Sequence, residues 1–344
     1  MFNEYADAVI AEIRDRQKEL EMNMSARDAV NTLYIGGGTP SVLPLDVLAR
    51  IVSAVTEPVE VTSPFEEFTV EVNPEDIVEK GSEYVRGLLA LGVNRISMGV
   101  QSFDDGILRW MNRRHDAARA VEAFRILREC GVRNISIDLI FGISQLTDET
   151  WKDTIEKALE LSPEHISAYQ LSIEEGSAVA KMVADGRYVE ASEEQCRRQY
   201  DILCRCLGRS GYHHYEISNF AKPGFEAVHN SAYWRRAPYI GLGPGAHSLS
   251  GNVRSWNSQK LPHRNIVTYS RNFETLSPED IRVERIMLSL RTDKGLETTE
   301  LYSLADRTVI ETLLNEGALE LHGTRIRIPE DRLFTSDEII RELI

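Results

Sequence analysis

No stretch of this 344-residue sequence stays apolar for the roughly 20 residues that a membrane-crossing helix needs. Met1 to Leu20 is charged and amphipathic, unlike a secretory leader, so the expected location is cytoplasmic. Basic charge is in deficit: 39 Lys and Arg stand against 54 Asp and Glu, a formal charge of -15. Long-range repulsion then opposes nucleic acid and anionic membrane surfaces, and small ligands or protein partners fit better. Cysteine is scarce. Cys130 precedes Gly131 at an expected helix end, and Cys196, Cys204 and Cys206 share one polar helical stretch, so no disulfide framework is indicated. Two and eight residues apart on a helix, those three do not converge on one face, which argues against a metal site.

What is present is a regular alternation of helical periodicity and short apolar runs up to about Ser172, the sequence form of repeated βα units and hence of an α/β fold with a parallel sheet. A first helix with Tyr5, Val9, Ile13 and Leu20 on one side precedes strands at Thr32 to Ile35, Phe68 to Val72, Arg95 to Val100, Asn134 to Ile140 and His165 to Leu171. Helices are expected near Leu45 to Val55, Glu83 to Leu91, Ala117 to Glu129 and Glu149 to Leu161. A helix feeding the sheet before any strand is unusual, since a βα unit opens on its strand. Ser192 to Arg209 reads as one long polar helix, and the Gly-, Tyr- and Trp-rich text around Tyr239 to His247 as short strands and loops. From about Ser277, two or three helices and a hairpin turning at Gly323-Thr324 indicate a small helical unit with a β-wing.

In parallel α/β sheets ligands sit at the carboxyl ends of the strands. The first strand runs into Gly36-Gly37-Gly38-Thr39-Pro40, where bare backbone is offered to a ligand and proline stops the strand. The second ends Val70-Glu71-Val72-Asn73-Pro74, the third Gly99-Val100-Gln101-Ser102, and the fourth carries Asp138 before Ile140-Phe141-Gly142. Glu71 could be a solvated loop residue and Gln101 a strand cap, yet Glu71 and Asp138 lie within apolar strands where an unpaired carboxylate is costly. Carboxylate, amide, carboxylate and open backbone suit a ligand with an ammonium, a ribose diol and a purine. Arg113 and Arg114 are candidates for a ligand carboxylate, or are simply solvated.

These segments, with Asn94-Arg95-Ile96-Ser97-Met98, Tyr212 to Ala221, His229-Asn230-Ser231-Ala232-Tyr233-Trp234 and Gly243 to Ser248, resemble the radical S-adenosylmethionine proteins of the oxygen-independent coproporphyrinogen III oxidase family over essentially the whole chain. The His-Asn-x-x-Tyr-Trp segment looks most like the haem chaperone (HemW) branch. The resemblance implies a partial (β/α)6 TIM-like barrel over residues 1–190, a barrel-completing helix and β/loop region over 191–270, and a winged-helix-like domain over 271–344. It implies a 4Fe-4S cluster and S-adenosylmethionine as cofactors. Gly37 belongs to the cofactor-binding set. Gly38 and Thr39 would take the methionine ammonium, Glu71 the ammonium or ribose, Gln101 and Asp138 the ribose hydroxyls, and Arg113 the methionine carboxylate, with Ile140 and Phe141 flanking adenine.

The family's Cys-x-x-x-Cys-x-x-Cys cluster loop is not found in the sequence, and the four cysteines cannot replace it. Two accounts remain, a chain truncated one strand and one loop late or a natural cluster-free relative; the intact Glu71, Gln101, Arg113 and Asp138 set favours the first. As written, the chain is expected to lack radical chemistry. The implied function is haem carriage to acceptor proteins, with His229, His214 and His247 as candidate axial ligands. A membrane-bound acceptor would bring only peripheral membrane contact. Alternation along a strand predicts one of His213 and His214 buried and the other exposed. The alternative is the oxidase itself, which would need cations for propionates, with Arg235, Arg236 and Arg254 as candidates.

Overall fold

Successive side chains of a strand point to opposite faces, and here that alternation separates an apolar outer face from a polar inner one. The structure, a computed structural model, describes residues 2–24, 30–57, 65–259 and 269–344. Strands β1 (Thr32–Ile35), β2 (Glu67–Val72), β3 (Arg95–Gln101), β4 (Ile135–Phe141) and β5 (His165–Gln170) are parallel and paired in chain order. An antiparallel hairpin of β6 (His213–Glu216) and β7 (Asn219–Ala221) extends the sheet, with β7 beside β5. The result is the half-barrel that the family resemblance implies, with five parallel strands among the described residues.

Outward-facing Val70, Val72, Ile96, Met98, Ile137, Leu139 and Phe141 are all at most 3% exposed and meet a helical layer. That layer comprises α1 (Phe2–Asp15), α3 (Leu45–Thr56), α4 (Pro74–Ala90), α5 (Asp105–Trp110), α6 (Ala117–Glu129), α7 (Asp148–Leu161) and α9 (Glu193–Arg209), whereas α2 (Gln17–Met24) and α8 (Ala178–Ala184) add no described residue to this core. Burying each large side chain contributes about 1.5–3 kcal/mol. Asp104, Asp116, Thr147 and Ser192 accept from the first free amides of α5, α6, α7 and α9, which fixes where each helix starts. Two expected helices differ. The first breaks at Arg16, whose side chain turns inward, and α4 begins nine residues before the expected Glu83, because Pro74 pre-sets its first turn. Gly81, at φ 65°, bends α4 at the point where the periodicity loses register.

Beyond the barrel come α10 (Val228–Trp234) and a sheet of β8 (His247–Ser250), β9 (Val253–Asn257) and β10 (Arg271–Thr275), in the order β10-β9-β8. A second apolar core, built from Ile286, Leu301, Ile310, Leu313 and Ile326, gathers α11 (Pro278–Leu290), β11 (Leu296–Glu297), α12 (Thr298–Leu304), α13 (Arg307–Asn315), β12 (Glu320–His322), β13 (Arg325–Arg327) and α14 (Ser336–Leu343). β12 and β13 form the expected hairpin, with Gly323 at φ 61° in its two-residue turn; α14 was not foreseen.

Buried Glu12 ties α1 to the β8–β10 region: it accepts from Gly243 N–H (2.8 Å), Asn257 Nδ2 (2.7 Å) and Arg16 Nη1 (3.1 Å). Arg16, 2% exposed, also donates to Gly241 O and Ser248 Oγ. Removing one partner strands the other's charge in the interior. Arg16→Ala is therefore expected to destabilise the protein by about 3 kcal/mol or more. Urea-unfolding midpoints check this; a loss under about 1 kcal/mol, as for an exposed pair, contradicts it.

Candidate functional site

The loop after β1 is pinned so that its glycines stay open. Ser41, fully buried, donates to Asp76 Oδ2 (2.6 Å) and accepts from Asn73 N–H (3.1 Å), while Lys80 Nζ donates to the Ser41 and Leu43 carbonyls. Gly37, at φ 79°, and Gly38 are exposed, and an added Cβ at either would meet nothing within 4 Å. Gly37 N–H donates to Glu71 Oε2 (3.0 Å), and Tyr34 Oη donates to Glu71 Oε1 (2.7 Å). Glu71 is thus an oriented carboxylate beside bare backbone. Thr39, half-buried, precedes the short turn Pro40–Val42.

On the next strands Gln101 holds φ 69° at a bulge where the β3–β4 register shifts. A Cβ on Gly99 would come within 2.8 Å of Gln101 Nε2, so Gly99 leaves room for that amide. A left-handed glutamine costs of order 1 kcal/mol and marks a position held by its surroundings. Half-buried Asp138 accepts from Ser97 Oγ at 3.2 Å on both oxygens. Burial pushes its carboxyl up to about 6; Glu71 adds to this, while Arg95, Ser167 and Ser97 oppose it. Arg113 is half-buried, and its guanidinium has no hydrogen bond or ion pair among the described residues. Burial lowers its pKa, and the charges of Glu75 and Asp138 offset this. Glu71, Asp138 and Arg113 therefore share one electrostatic neighbourhood.

Other candidates fall elsewhere. Arg114 is engaged with Glu75 (2.9 Å) and Asp76 (3.0 Å). Ile140 is half-buried on the concave face, but Phe141 is 2% exposed and its ring packs on Trp151 and Tyr200, so only its backbone reaches the strand end. Arg236 and Arg254, offered for propionates, both pair with Glu284, which leaves only exposed Arg235 of that trio.

The histidines separate clearly. His213 is exposed and His214 buried, as alternation requires. His214 stacks on Phe220 (4.1 Å) and contacts Tyr200 Oη (3.2 Å) and Glu330 (3.2 Å). His229 is half-buried at the start of α10. Its Nδ1 meets Thr32 Oγ1 (2.8 Å), its Nε2 meets Tyr233 Oη (2.9 Å), and its ring stacks on Tyr34 at 5.0 Å. Burial lowers its pKa, which keeps the ring neutral. His247 is exposed and stacks on Trp256 at 6.0 Å.

Four lining residues escaped sequence reasoning: Glu67, Arg95, Ser97 and His165. Arg95, 2% exposed, faces the concave side, and its Nε has no hydrogen-bond partner among the described residues. His165, fully buried, sits between Ser136 Oγ (2.8 Å) and Tyr215 Oη (2.7 Å), and burial holds its pKa well below the usual range. Glu67 accepts from Val228 N–H (2.7 Å) and His229 N–H (3.2 Å). Polar residues at every second strand position were the signal that could have found them.

The family model described as the radical SAM superfamily matches residues 7–158. A "Heme chaperone HemW" of Lactococcus lactis is 34% identical over 302 residues, covering 87% of this chain and 78% of that protein. Its Mycobacterium tuberculosis namesake is 31% identical over 361 residues, covering 100% and 90%. The chain belongs to the HemW family of radical SAM proteins. A solved structure of Escherichia coli coproporphyrinogen III oxidase (HemN) shares the fold, with a TM-score of 0.77 and 22% identity over 99% of this chain and 82% of that one.

Radical SAM membership implies S-adenosylmethionine and a 4Fe-4S cluster, and the two fit this chain differently. Open glycine backbone, an amide-anchored Glu71 and an Arg113 with no ion pair among the described residues fit the methionine end of the first. For the cluster, no group of three or more His, Cys, Asp or Glu among the described residues could hold a metal ion. Cys196 is buried on α9, and burial raises the Cys204 thiol to about 12, so neither is poised as a thiolate. The described residues do not supply its ligands.

Asp138 sets a pH dependence. Its folded pKa lies above the usual carboxylate range, so the native state binds the extra proton, and this group's contribution falls as pH rises from about 4 to about 6. The loss is about 1–2 kcal/mol, discounted for partial exposure. Asp138→Asn is expected to remove that slope, leaving the one from Glu216, which burial raises to about 7. Urea midpoints from pH 4 to 8 check it; parallel curves for the two proteins contradict it.

Proposed function

We propose that this chain binds S-adenosylmethionine along the strand ends and carries haem, with His229 as its first iron ligand, for transfer to acceptor proteins in the cytoplasm. The observations that carry the proposal are Glu71, oriented by Gly37 beside bare backbone, and half-buried Arg113, within the field of Asp138 and with no hydrogen bond or ion pair among the described residues. A zwitterionic amino-acid end matches such a pair, its ammonium to the carboxylate and its carboxylate to the guanidinium. Asp138 and Gln101 take the ribose hydroxyls, and Ile140 covers one face of the base. When bound, S-adenosylmethionine supplies an adenosyl group on a positively charged sulfur, which the acidic strand ends favour.

The names of the relatives support the haem half, as does the aromatic cluster around His229. Tyr34 stacks on it, Tyr233 meets it edge-on at 5.0 Å, and Tyr239 meets Tyr233 at 4.7 Å. Such rings offer flat apolar surface to a macrocycle. We assign residues 271–344, with their separate core, to a domain distinct from the barrel.

Hemin titration followed at the Soret band tests the ligand. His229→Ala is expected to weaken hemin binding by about tenfold or more, one lost coordinate bond being worth at least ~1.4 kcal/mol, while His247→Ala leaves it within about twofold. The opposite pattern moves the iron to His247, and an unaltered titration in both variants overturns histidine ligation at these positions.

A further inference from the structure

Tyr34 touches both halves of that assignment. It is half-buried on the concave side of β1, with its hydroxyl on Glu71 Oε1 (2.7 Å) and its ring on the His229 imidazole, centroids 5.0 Å apart and planes 21° from parallel. The contact is built into the backbone. A Cβ on Gly36 would stand 2.3 Å from Tyr34 Cε1 and 2.5 Å from Glu71 Oε1, so glycine alone lets ring and carboxylate meet there. Thr32, two residues before Tyr34 on the same strand, holds His229 Nδ1 at 2.8 Å. Glu67 on the neighbouring strand fixes the start of α10 through the Val228 and His229 amides. One edge of His229 is thereby tied to β1, while the other meets Tyr233, which is 41% exposed.

We propose that Tyr34 couples the two sites, so that S-adenosylmethionine at Glu71 and a haem macrocycle at His229 bind with positive cooperativity. This rests on the assignment of both ligands above. An ammonium arriving at Glu71 competes with the Tyr34 hydroxyl for the same carboxylate and weakens that bond. To offer Nε2 to iron, His229 must leave Tyr233, and its ring must shift over the one beneath it. A Tyr34 no longer held by Glu71 follows that shift. Each ligand thus lowers the cost of the change the other requires, and by linkage the factor is the same in both directions.

Isothermal titration of the whole chain with S-adenosylmethionine, with and without saturating hemin, and Soret titration with hemin, with and without S-adenosylmethionine, measure the factor directly. We expect each ligand to tighten the other by about fivefold, the lower end of usual coupling. Tyr34→Phe keeps the stacked ring and removes only the hydroxyl, and it is expected to bring both ratios to one. Thr32→Val, which loosens His229 without touching Glu71, is expected to keep them above one. If either ligand fails to bind the unaltered protein alone, the functional assignment falls and the coupling falls with it. If both bind but the unaltered ratio is one or less, or the ratio survives Tyr34→Phe, the coupling alone is overturned. A ratio of one in the unaltered protein decides the matter even where a variant does not fold.

Discussion

The constraint on which this structure depends is that its parallel strands turn polar side chains inward, where water is only partly admitted. A donor or acceptor left unpaired there costs about 1–3 kcal/mol, which favours inward polar residues that pair across the lumen. Ser97 bonds Asp138; Ser136 bonds His165, which bonds Tyr215, which accepts from Ala227 N–H. Because Tyr215 receives that amide proton and is itself a donor, its own hydrogen goes to His165 Nε2, and Nδ1–H then faces Ser136. Glu67 does similar work at the other wall by accepting the first amides of α10, which a helix cannot satisfy from within. The position of α10, and of His229 over Tyr34, follows from the lumen outward.

Charge completes the arrangement. Arg95 is the buried cation among Glu67, Glu71, Asp138 and Glu216, and its field acts on Tyr34, Asp138, His165, Tyr169, Tyr215 and His229. It helps keep both imidazoles neutral, yet it does not bring Asp138 back to the ordinary carboxylate range. Glu71 raises the Asp138 pKa further, as one carboxylate beside another does, and a ligand bearing positive charge would relieve that repulsion.

Much of this was legible because it is local. The strands announce themselves as short apolar runs punctuated by Gly and Pro, and α6 at Ala117–Glu129 and the hairpin at Gly323 needed no tertiary information. Glu71 and Asp138 stood out because a carboxylate in an apolar run needs a reason. Three things were not legible. Arg95, Ser97 and His165 sit at inward positions of strands that read as buried on both faces, so their polarity was absorbed into the run. The bonds of Arg236 and Arg254 to Glu284, and of His229 to Thr32, join positions far apart in the chain, and spacing carries no trace of them. Phe141 was placed at a ligand by position, although parity puts its ring on the same face as Leu139, in the helical layer.

Parity and donor counting also separate the candidate iron ligands. Tyr200 Oη must donate to the Ile217 carbonyl (2.7 Å), so toward His214 Nε2 it can only accept, and the Glu330 carboxylate can only accept from Nδ1. His214 Nε2 is therefore a donor with no lone pair for a metal, and Nδ1 is taken up by the Glu330 carboxylate. At His229 the two partners are hydroxyls, Thr32 and Tyr233, which donate or accept as required, so one nitrogen of a neutral ring retains its lone pair. Replacing Tyr233 by iron returns an exposed phenol to water at little cost, whereas displacing Tyr200 or Glu330 would open the contact between the barrel hairpin and the C-terminal core. The same residue type thus serves as a fastener in β6 and as an exchangeable ligand in α10, and the difference lies in what its neighbours can do with a proton.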